Sequence, residues 1–255
     1  MATDRWIDTA AGRVFARQWD GAGVPIVLFH DSLGSVELWR DFPERLARTT
    51  GRAVIAYDRL GFGRSDPHPA TLEVDFVASE ARGTFRDVRE QLGFDRFVAF
   101  GHSVGGGMAV GCAAAYPEAC EALVTESAQA FVEDRTIEGI LAAKDVFAQP
   151  GQIERLQRHH GDKADWVLHA WIDTWLAPGF ADWNLDASLR QVRCPVLALH
   201  GDHDEFGSAR HPERIAANVP GGATVALLPC GHVPHRECLQ DVLAAIERFL
   251  PPVMG

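Results

Sequence analysis

The sequence is short of basic residues relative to acidic ones, and this shortage excludes several kinds of partner. Its 255 residues include 24 Lys and Arg against 35 Asp and Glu, which gives a formal net charge of -11 at pH 7. Nucleic acids and anionic membranes bind proteins through basic patches. We therefore expect a small-molecule substrate, with neither a nucleic acid nor a membrane as partner. The oligomeric state stays open.

Long apolar runs are also missing. No segment approaches the length of about 20 residues that a helix needs to cross a bilayer, and the first residues, MATDRW, lack the apolar stretch of a secretion signal. These absences predict a cytoplasmic protein. The composition, 47% hydrophobic and 23% charged, is that of an ordinary globular protein, and the length suits one large domain or one domain with an insertion.

Cysteine is scarce and unevenly placed. The five cysteines, at positions 112, 120, 194, 230 and 238, are odd in number and scattered, which favours reduced thiols over a disulfide framework. Cys230, His232, His235 and Cys238 fall within nine residues. Their spacing matches no usual zinc pattern, so we predict no metal site.

Strand-like and helix-like segments alternate along the chain. Apolar strands are predicted at about 12–18, 24–29, 52–57, 95–100, 121–126, 195–200 and 223–228, and helical patterns include 72–92 and 239–250. This alternation predicts an α/β fold with a mostly parallel sheet and helices on both of its faces. The first two strands, around Gly12, predict a hairpin instead.

About sixty residues before Cys194 interrupt this rhythm, because they carry helical pattern without a convincing strand. We predict a helical cap at 132–190, inserted into a core domain formed by 1–131 and 191–255. The cap holds four of the seven tryptophans. Three positions at helical spacing, Trp171, Ile172 and Trp175, suit the cap's own core, whereas Trp183, near Pro178, is freer to line a substrate pocket.

One segment carries a specific chemical signal. Gly101-His102-Ser103-Val104-Gly105 places a serine between two glycines, directly after an apolar strand and before a helix of small residues that ends at Pro117. This is the form of a nucleophile elbow, a strained turn in which only residues without bulk fit two positions before and after the serine. A chance match is expected roughly 0.07 times in a chain of this composition.

A serine hydroxyl is a poor nucleophile at neutral pH, so it needs a histidine as base and a carboxylate to orient that histidine. In a parallel sheet these groups belong on loops at the carboxyl ends of strands. Two such loops follow in the order acid, then histidine: Gly201-Asp202-His203-Asp204 and Pro229-Cys230-Gly231-His232.

These motifs, in this order, resemble those of the α/β-hydrolase family, and the resemblance extends over nearly the whole chain. It implies that Ser103 is the nucleophile, Asp204 the acid and His232 the base. Glu126 is an alternative acid, since the strand after the elbow helix carries the acid in some family members. His235 is an alternative base.

An oxyanion hole needs two backbone N–H groups that converge on the developing negative charge. Val104 supplies one by its position after the nucleophile, and the resemblance implies Ser32 as the second. The family usually has glycine where this chain has Asp31. Asp31 either turns away and makes a hydrogen bond within its loop, which we expect, or faces the pocket and disfavours anionic acyl groups.

The resemblance implies hydrolysis of a small ester, lactone or related carbonyl compound through an acyl-enzyme, with no task for a metal or organic cofactor. Carbon-carbon bond hydrolases share the architecture, but they often carry tryptophan directly after the histidine, where this chain has Val233. Lyases, cofactor-independent oxygenases and small-molecule receptors on the same scaffold are further alternatives. The turn from Asp58 to Ser65 resembles a structural hallmark of the family.

Overall fold

A computed structural model describes residues 1–253 of the protein. Its eight strands are β1 (Ala2–Thr9), β2 (Gly12–Trp19), β3 (Ala22–Phe29), β4 (Arg52–Tyr57), β5 (Phe97–His102), β6 (Cys120–Glu126), β7 (Val196–Gly201) and β8 (Thr224–Leu228). The strands form one sheet in the order β1-β2-β4-β3-β5-β6-β7-β8. Pairing is antiparallel among β1, β2 and β4 and parallel from β4 to β8.

The helices follow the strands in the alternation that the sequence predicts. The α-helices are α1 (Phe42–Thr50), α2 (Phe76–Ser79), α3 (Thr84–Leu92), α4 (Val104–Ala115), α5 (Asp134–Phe147), α6 (Gln152–His160), α7 (Ala164–Trp175), α8 (Asp186–Leu189), α9 (Arg210–Asn218), α10 (Pro234–Glu237) and α11 (Leu239–Phe249). Short 3-10 helices cover Val36–Trp39, Glu80–Arg82, Gly161–Lys163 and Pro178–Phe180. Each helix in residues 1–253 is too short or too polar to span a bilayer.

Two apolar cores, one on each face of the sheet, follow from the two-residue period of the strands. On β5, Val98 and Phe100 pack with residues of α1 and α11, whereas Phe97 and Ala99 pack on the opposite face with residues of α3 and α4. Central strands are buried on both sides, which is why they read as continuous apolar runs in the sequence. The predicted α/β class, with helices on both faces of a mostly parallel sheet, is confirmed.

Two parts of the predicted pattern are wrong. A hairpin does form around Gly12, but its first strand is β1, which the sequence pattern missed because Ile7 is the only one of its residues that is buried. The predicted helix over 72–92 is interrupted at Gly83, whose backbone leaves the helical region at φ -99° and ψ -116°. Glycine weakens a helix because it costs the most backbone entropy to fix.

The segment between β6 and β7 contains helices α5 to α8 and one isolated bridge, between Phe131 and Asn184. Trp175 and Ile172 are buried in it, at 3% and 4% exposure, and Phe180 is fully buried beside Trp175. The division into a core domain and a cap at 132–190 stays a prediction.

Close packing at the elbow makes a first prediction about stability. A Cβ at Gly105 would lie 2.1 Å from the Phe29 carbonyl oxygen, a backbone atom that cannot move aside. We expect Gly105→Ala to lower the free energy of unfolding by about 3 kcal/mol or more, as measured by urea denaturation. Gly221→Ala is the matched control, because a Cβ there meets nothing within 4 Å. Equal stability of the two variants would contradict the packing argument.

Candidate active site

The backbone at Ser103 has the geometry of a nucleophile elbow. Ser103 lies between β5 and α4 with φ 57° and ψ -127°, a conformation that L-residues rarely adopt. Its N–H donates to the Glu126 carbonyl at 2.9 Å, and its carbonyl accepts from the Gly106 N–H at 2.9 Å. A Cβ at Gly101 would lie 2.1 Å from the Gly105 carbonyl oxygen. The two flanking glycines are therefore required by the turn.

Asp204 and His232 meet across two strand-end loops, after β7 and β8. His232 Nδ1 is 2.9 Å from each carboxylate oxygen of Asp204. The Oδ1 atom of Asp204 also accepts from the backbone N–H groups of Phe206, at 2.8 Å, and Gly207, at 3.2 Å. This bonding assigns the proton of the neutral imidazole to Nδ1, which leaves Nε2 free to accept a proton.

Ser103 lies on the same cavity as His232, but its hydroxyl is turned toward another residue. The Ser103 hydroxyl donates to Gln129 Oε1 at 3.1 Å, and within residues 1–253 no hydrogen bond joins it to His232. Hydrogen bonds between catalytic groups often form only when substrate binds. The sequence reasoning missed Gln129, although its place three residues after β6 is the same signal that selected the acid and the base.

The pKa shifts of Asp204 and His232 favour an ionised carboxylate and a histidine that readily accepts a proton. Burial is the largest single influence on the pKa of Asp204 and raises it, but the hydrogen bond and charge of His232, together with the bond from the Phe206 N–H, hold that pKa below its usual range. Burial likewise lowers the pKa of His232, and the bond with Asp204, reinforced by the nearby charges of Glu205 and Asp31, raises it above 6.5 overall. The imidazolium that forms in a reaction is thus stabilised by three carboxylates.

The raised pKa of His232 predicts the pH dependence of any reaction in which it acts as base. Only the neutral imidazole accepts a proton, so kcat/KM should fall as the pH drops through a value above 6.5. Glu126 is a second group that titrates in this pH range, because burial raises its pKa to about 7. A pH series on the wild type and on Glu126→Gln separates the two groups. A limb that disappears in Glu126→Gln, or a midpoint below 6.5, would contradict the assignment.

The two predicted oxyanion donors lie together. Ser32 and Val104 both line a small recess that adjoins the Ser103 cavity, and the two spaces share Ser32, Trp171 and Trp175 as walls. Val104 is the first residue of α4, so its N–H has no carbonyl partner within the helix and lies at the positive end of the helix dipole. The arrangement suits a developing negative charge.

The loop that carries Ser32 is held by the predicted structural turn after β4. Asp58 accepts from the Val36 N–H at 2.6 Å and from the Arg64 N–H at 2.7 Å. Burial raises the pKa of Asp58 to about 6. The turn fixes the start of the 3-10 helix that follows the Ser32 loop, which is a positional contribution rather than a chemical one.

The cavity at Ser103 is small and partly aromatic. It has a volume of about 190 Å³, below the roughly 300–1,000 Å³ of pockets for drug-sized ligands. Residues from both sheet loops and the helices before β7 line it: Asp31, Ser32, Leu33, Ser103, Gln129, Thr136, Ile140, Trp171, Trp175, Glu205, Phe206, His232 and Val233. Val233, the residue after His232, lies on the wall.

The aromatic wall differs from the prediction. Trp171 and Trp175 line the cavity, while Trp183 lies behind Trp175, with ring centroids 5.5 Å apart, and stacks on Phe180 at 5.2 Å. The expectation that Trp183 is a pocket residue is therefore corrected. Helix periodicity predicted that Trp171, Ile172 and Trp175 lie on one helix face, but it did not show which of them also reach the cavity.

Asp31 lies between two cavities. It lines the Ser103 cavity, but its carboxylate oxygens lie beside Gly34 and His102, which line a neighbouring small recess, and they accept no hydrogen bond within residues 1–253. The nearest basic atom is His102 Nδ1, at 3.9 Å from Oδ2. The loop is closed instead by backbone atoms, since the Asp31 carbonyl accepts from Gly34 N–H at 3.2 Å and from Arg59 Nη2 at 2.8 Å.

The alternative acid and the alternative base are paired with each other. Glu126 Oε2 is 2.5 Å from His235 Nδ1, and both side chains are buried. Burial lowers the pKa of His235 to about 3, so it stays neutral. Beside them His102, whose pKa burial lowers to about 4, donates from Nε2 to the His232 carbonyl at 2.8 Å. This cluster supports the His232 loop from behind.

Two groups of side chains are relevant to metal binding. The ligand atoms of His102, Glu126 and His235 lie within 4.8 Å of one another, but His102 Nε2 and His235 Nδ1 are engaged in the hydrogen bonds just described. In the sequence group of Cys230, His232, His235 and Cys238, each histidine is bonded to a carboxylate: His232 to Asp204, and His235 to Glu126. The thiols of Cys230 and Cys238 are 2.7 Å apart, and all five cysteines are free.

The elbow, the strand order and the loops around Ser103 together define a class of protein. The family model of the alpha/beta hydrolase fold matches residues 24–161, more than half of the chain. The chain belongs to the α/β-hydrolase family.

Relatives and solved structures agree with this class. The human serine hydrolase BPHL is 28% identical over 232 residues, which cover 88% of this chain and 78% of the relative. The enol-lactonase of Burkholderia xenovorans superposes with a TM-score of 0.72 at 18% identity, over 96% of this chain and 99% of its own. A thermophilic esterase from Thermogutta terrifontis gives a TM-score of 0.73 at 21% identity, over 96% and 97%. At these identities the structural likeness is one of fold.

Proposed function

We propose that the protein is a serine hydrolase that cleaves a small ester, lactone or related carbonyl compound. The observation that carries the proposal is the convergence of Ser103 and the Asp204–His232 pair on one cavity of about 190 Å³. The proposed partner is a small molecule, and the scheme uses only side chains and backbone groups of this chain.

The proposed mechanism follows the geometry. His232 Nε2 takes the proton of the Ser103 hydroxyl, and the oxygen attacks the substrate carbonyl carbon. The carbonyl oxygen gains negative charge and is held by the N–H groups of Ser32 and Val104. His232 then gives its proton to the leaving oxygen. Water, deprotonated in turn by His232, attacks the acyl-enzyme, and His232 returns that proton to the Ser103 oxygen as the acid leaves, while Asp204 stays ionised and orients the imidazole.

The first step requires a rotation at Ser103. Its hydroxyl gives up the hydrogen bond to Gln129 Oε1 and donates to His232 instead. In this scheme the helices α5 to α7 act as a cap that carries the aromatic wall and limits the size of the substrate. Serine hydrolase, lactonase and esterase are also the names of the relative and of the fold neighbours described above.

The test is labelling with a fluorophosphonate, followed by a substrate screen. We expect stoichiometric labelling of Ser103 in the wild-type protein, located by mass spectrometry of the peptides. A screen of p-nitrophenyl esters, lactones and dienone acids then assigns the bond that is cleaved. Turnover of dienone acids alone would indicate a carbon-carbon bond hydrolase. A properly folded protein that is never labelled would overturn the activated serine, and would favour a lyase, an oxygenase or a receptor.

A further inference from the structure

Two carboxylates that form no salt bridge with lysine or arginine within residues 1–253 belong to residues lining the cavity of Ser103. Asp31 lies on its wall beside Ser32, and Glu205, the residue after Asp204, lies on the wall near His232. The nearest basic group to the Asp31 carboxylate is the neutral His102, and Glu205 forms no ion pair within residues 1–253. Both charges act on His232, where each raises the pKa. Two negative charges therefore lie close to His232 at this wall.

The same wall contains no lysine or arginine among its thirteen described residues. The basic side chains nearby are engaged elsewhere. Arg59 donates to the Asp31 carbonyl, Arg135 to the Asp204 carbonyl at 3.1 Å, and Arg236 to the Leu38 carbonyl. Arg59 and Arg236 lie close enough to Asp31 to interact with its charge, but the hydrogen bonds of both go to backbone oxygens, and Arg59 lines only the adjoining recess. The thirteen residues of this lining thus supply two carboxylates and no lysine or arginine.

The remaining large side chains on the wall are aromatic. Trp171 and Phe206 meet edge to face with centroids 5.9 Å apart, and Phe206 lies 4.8 Å from the His232 ring. Trp175 completes this side of the cavity. The faces of aromatic rings attract cations, tryptophan most strongly, and the attraction increases when water is excluded. Acidic and aromatic walls thus favour the same kind of charge.

We propose that the substrate of this site carries a cationic ammonium group, either a protonated amine or a quaternary ammonium. The inference rests on the proposed function, since it assigns a substrate class to the Ser103 cavity. Asp31 and Glu205 bind the cation electrostatically, and the rings of Trp171, Trp175 and Phe206 replace part of its water. A neutral group of the same shape gains only the apolar contact.

The test compares matched esters that differ in charge alone. On the alcohol half, butyrylcholine is compared with 3,3-dimethylbutyl butanoate. On the acyl half, phenyl 3-aminopropanoate is compared with phenyl butanoate and with phenyl hydrogen malonate. We expect the wild type to favour the cation over its neutral isostere by about tenfold in kcat/KM, the effect of one unit charge acting over roughly 10 Å in a partly solvated site. The anion should be the poorest substrate.

Isosteric variants then locate the charge. Asp31→Asn and Glu205→Gln should each reduce the ratio of cationic to neutral turnover, and the double variant should bring it close to one. The ratio, rather than the rate, is the readout, because both carboxylates also raise the pKa of His232 and so affect every substrate. Asp202→Asn is the control on the same loop as Glu205, since Asp202 is half-exposed and pairs with His203 at 2.8 Å.

The outcomes separate this inference from the function on which it rests. Hydrolysis of the neutral esters with no advantage for the cation in either half would overturn the inference and leave the hydrolase intact. A cation advantage that survives in the double variant would also overturn it. Failure of the wild type to cleave any ester or to react with a fluorophosphonate would instead overturn the proposed function.

Discussion

Replacing Ser103 with alanine is expected to lower kcat for ester hydrolysis by roughly a million-fold, to the residual rate that an oxyanion hole and binding alone sustain. The reason is that the Ser103 oxygen forms the acyl bond, and no other hydroxyl in the cavity lining follows a strained elbow. Initial rates with a p-nitrophenyl ester measure the loss, and fluorophosphonate labelling should disappear with it.

The fold should survive this substitution. Alanine keeps the Cβ of serine, so the backbone conformation at φ 57° is no more strained than before, and the only lost contact is the hydrogen bond to Gln129. We expect the unfolding midpoint to stay within a few degrees of the wild type. Ser127→Ala is the matched control, because Ser127 is buried at the same edge of the sheet, has φ 45°, and lies outside the cavity lining. Its activity should remain near that of the wild type.

Retention of more than one per cent of activity in Ser103→Ala would show that a different group carries the reaction. The protonation chemistry of His232 without an acyl-enzyme, as in a lyase, is the explanation that would then apply. Labelling on a residue other than Ser103 would point to the same conclusion.

Replacing Asp204 with asparagine is expected to lower kcat by about ten thousand-fold. The amide keeps one oxygen for the N–H groups of Phe206 and Gly207, so the loop should hold its shape. Its NH₂ group, however, donates toward His232 Nδ1 and favours the tautomer whose Nε2 already carries a proton. That imidazole has no lone pair to offer Ser103. Steady-state kinetics and the pH profile measure the change together, and the limb assigned to His232 should move to lower pH.

Glu126→Gln is the matched substitution for the alternative acid. Glu126 is as deeply buried as Asp204, yet its partner is His235, which lies behind His232 on the side away from the cavity. We expect a loss of less than about tenfold, through the support that the cluster gives to the His232 loop. If Glu126→Gln proved as damaging as Asp204→Asn, while both remained folded, the assignment of the acid to Asp204 would have to be withdrawn.

The sequence predicts those features that depend on local patterns along the chain, such as strands and the loops that follow them. The central strands, buried on both faces, were predicted within about two residues, and the three candidate catalytic residues were selected because each follows a predicted strand. The edge strand β1 was missed because only Ile7 is buried, so the strand has no apolar alternation that a pattern could detect.

The errors within the site share a different cause. Trp183 was assigned to the pocket and Gln129 was not predicted, because the direction in which each side chain points depends on neighbours far away in the sequence. Trp175 occupies the position nearest the cavity and leaves Trp183 behind it. Gln129 faces Ser103 across 26 positions of the chain. Side-chain orientation of this kind is a property of tertiary packing, which periodicity does not encode.

The conformation of Ser103 has a consequence for how this protein evolves. A non-glycine residue in a sparsely populated backbone region costs of order 1–3 kcal/mol, and the surrounding sheet and helix must over-determine it. No packing or hydrogen-bonding benefit to the fold at Ser103 offsets a cost of that size, since its hydroxyl makes a single contact with Gln129. Under the proposed mechanism, stability and reactivity therefore select in opposite directions at this position. The strained serine is maintained against the preference of the fold, and a lineage that abandoned the chemistry would be free to exchange it for glycine.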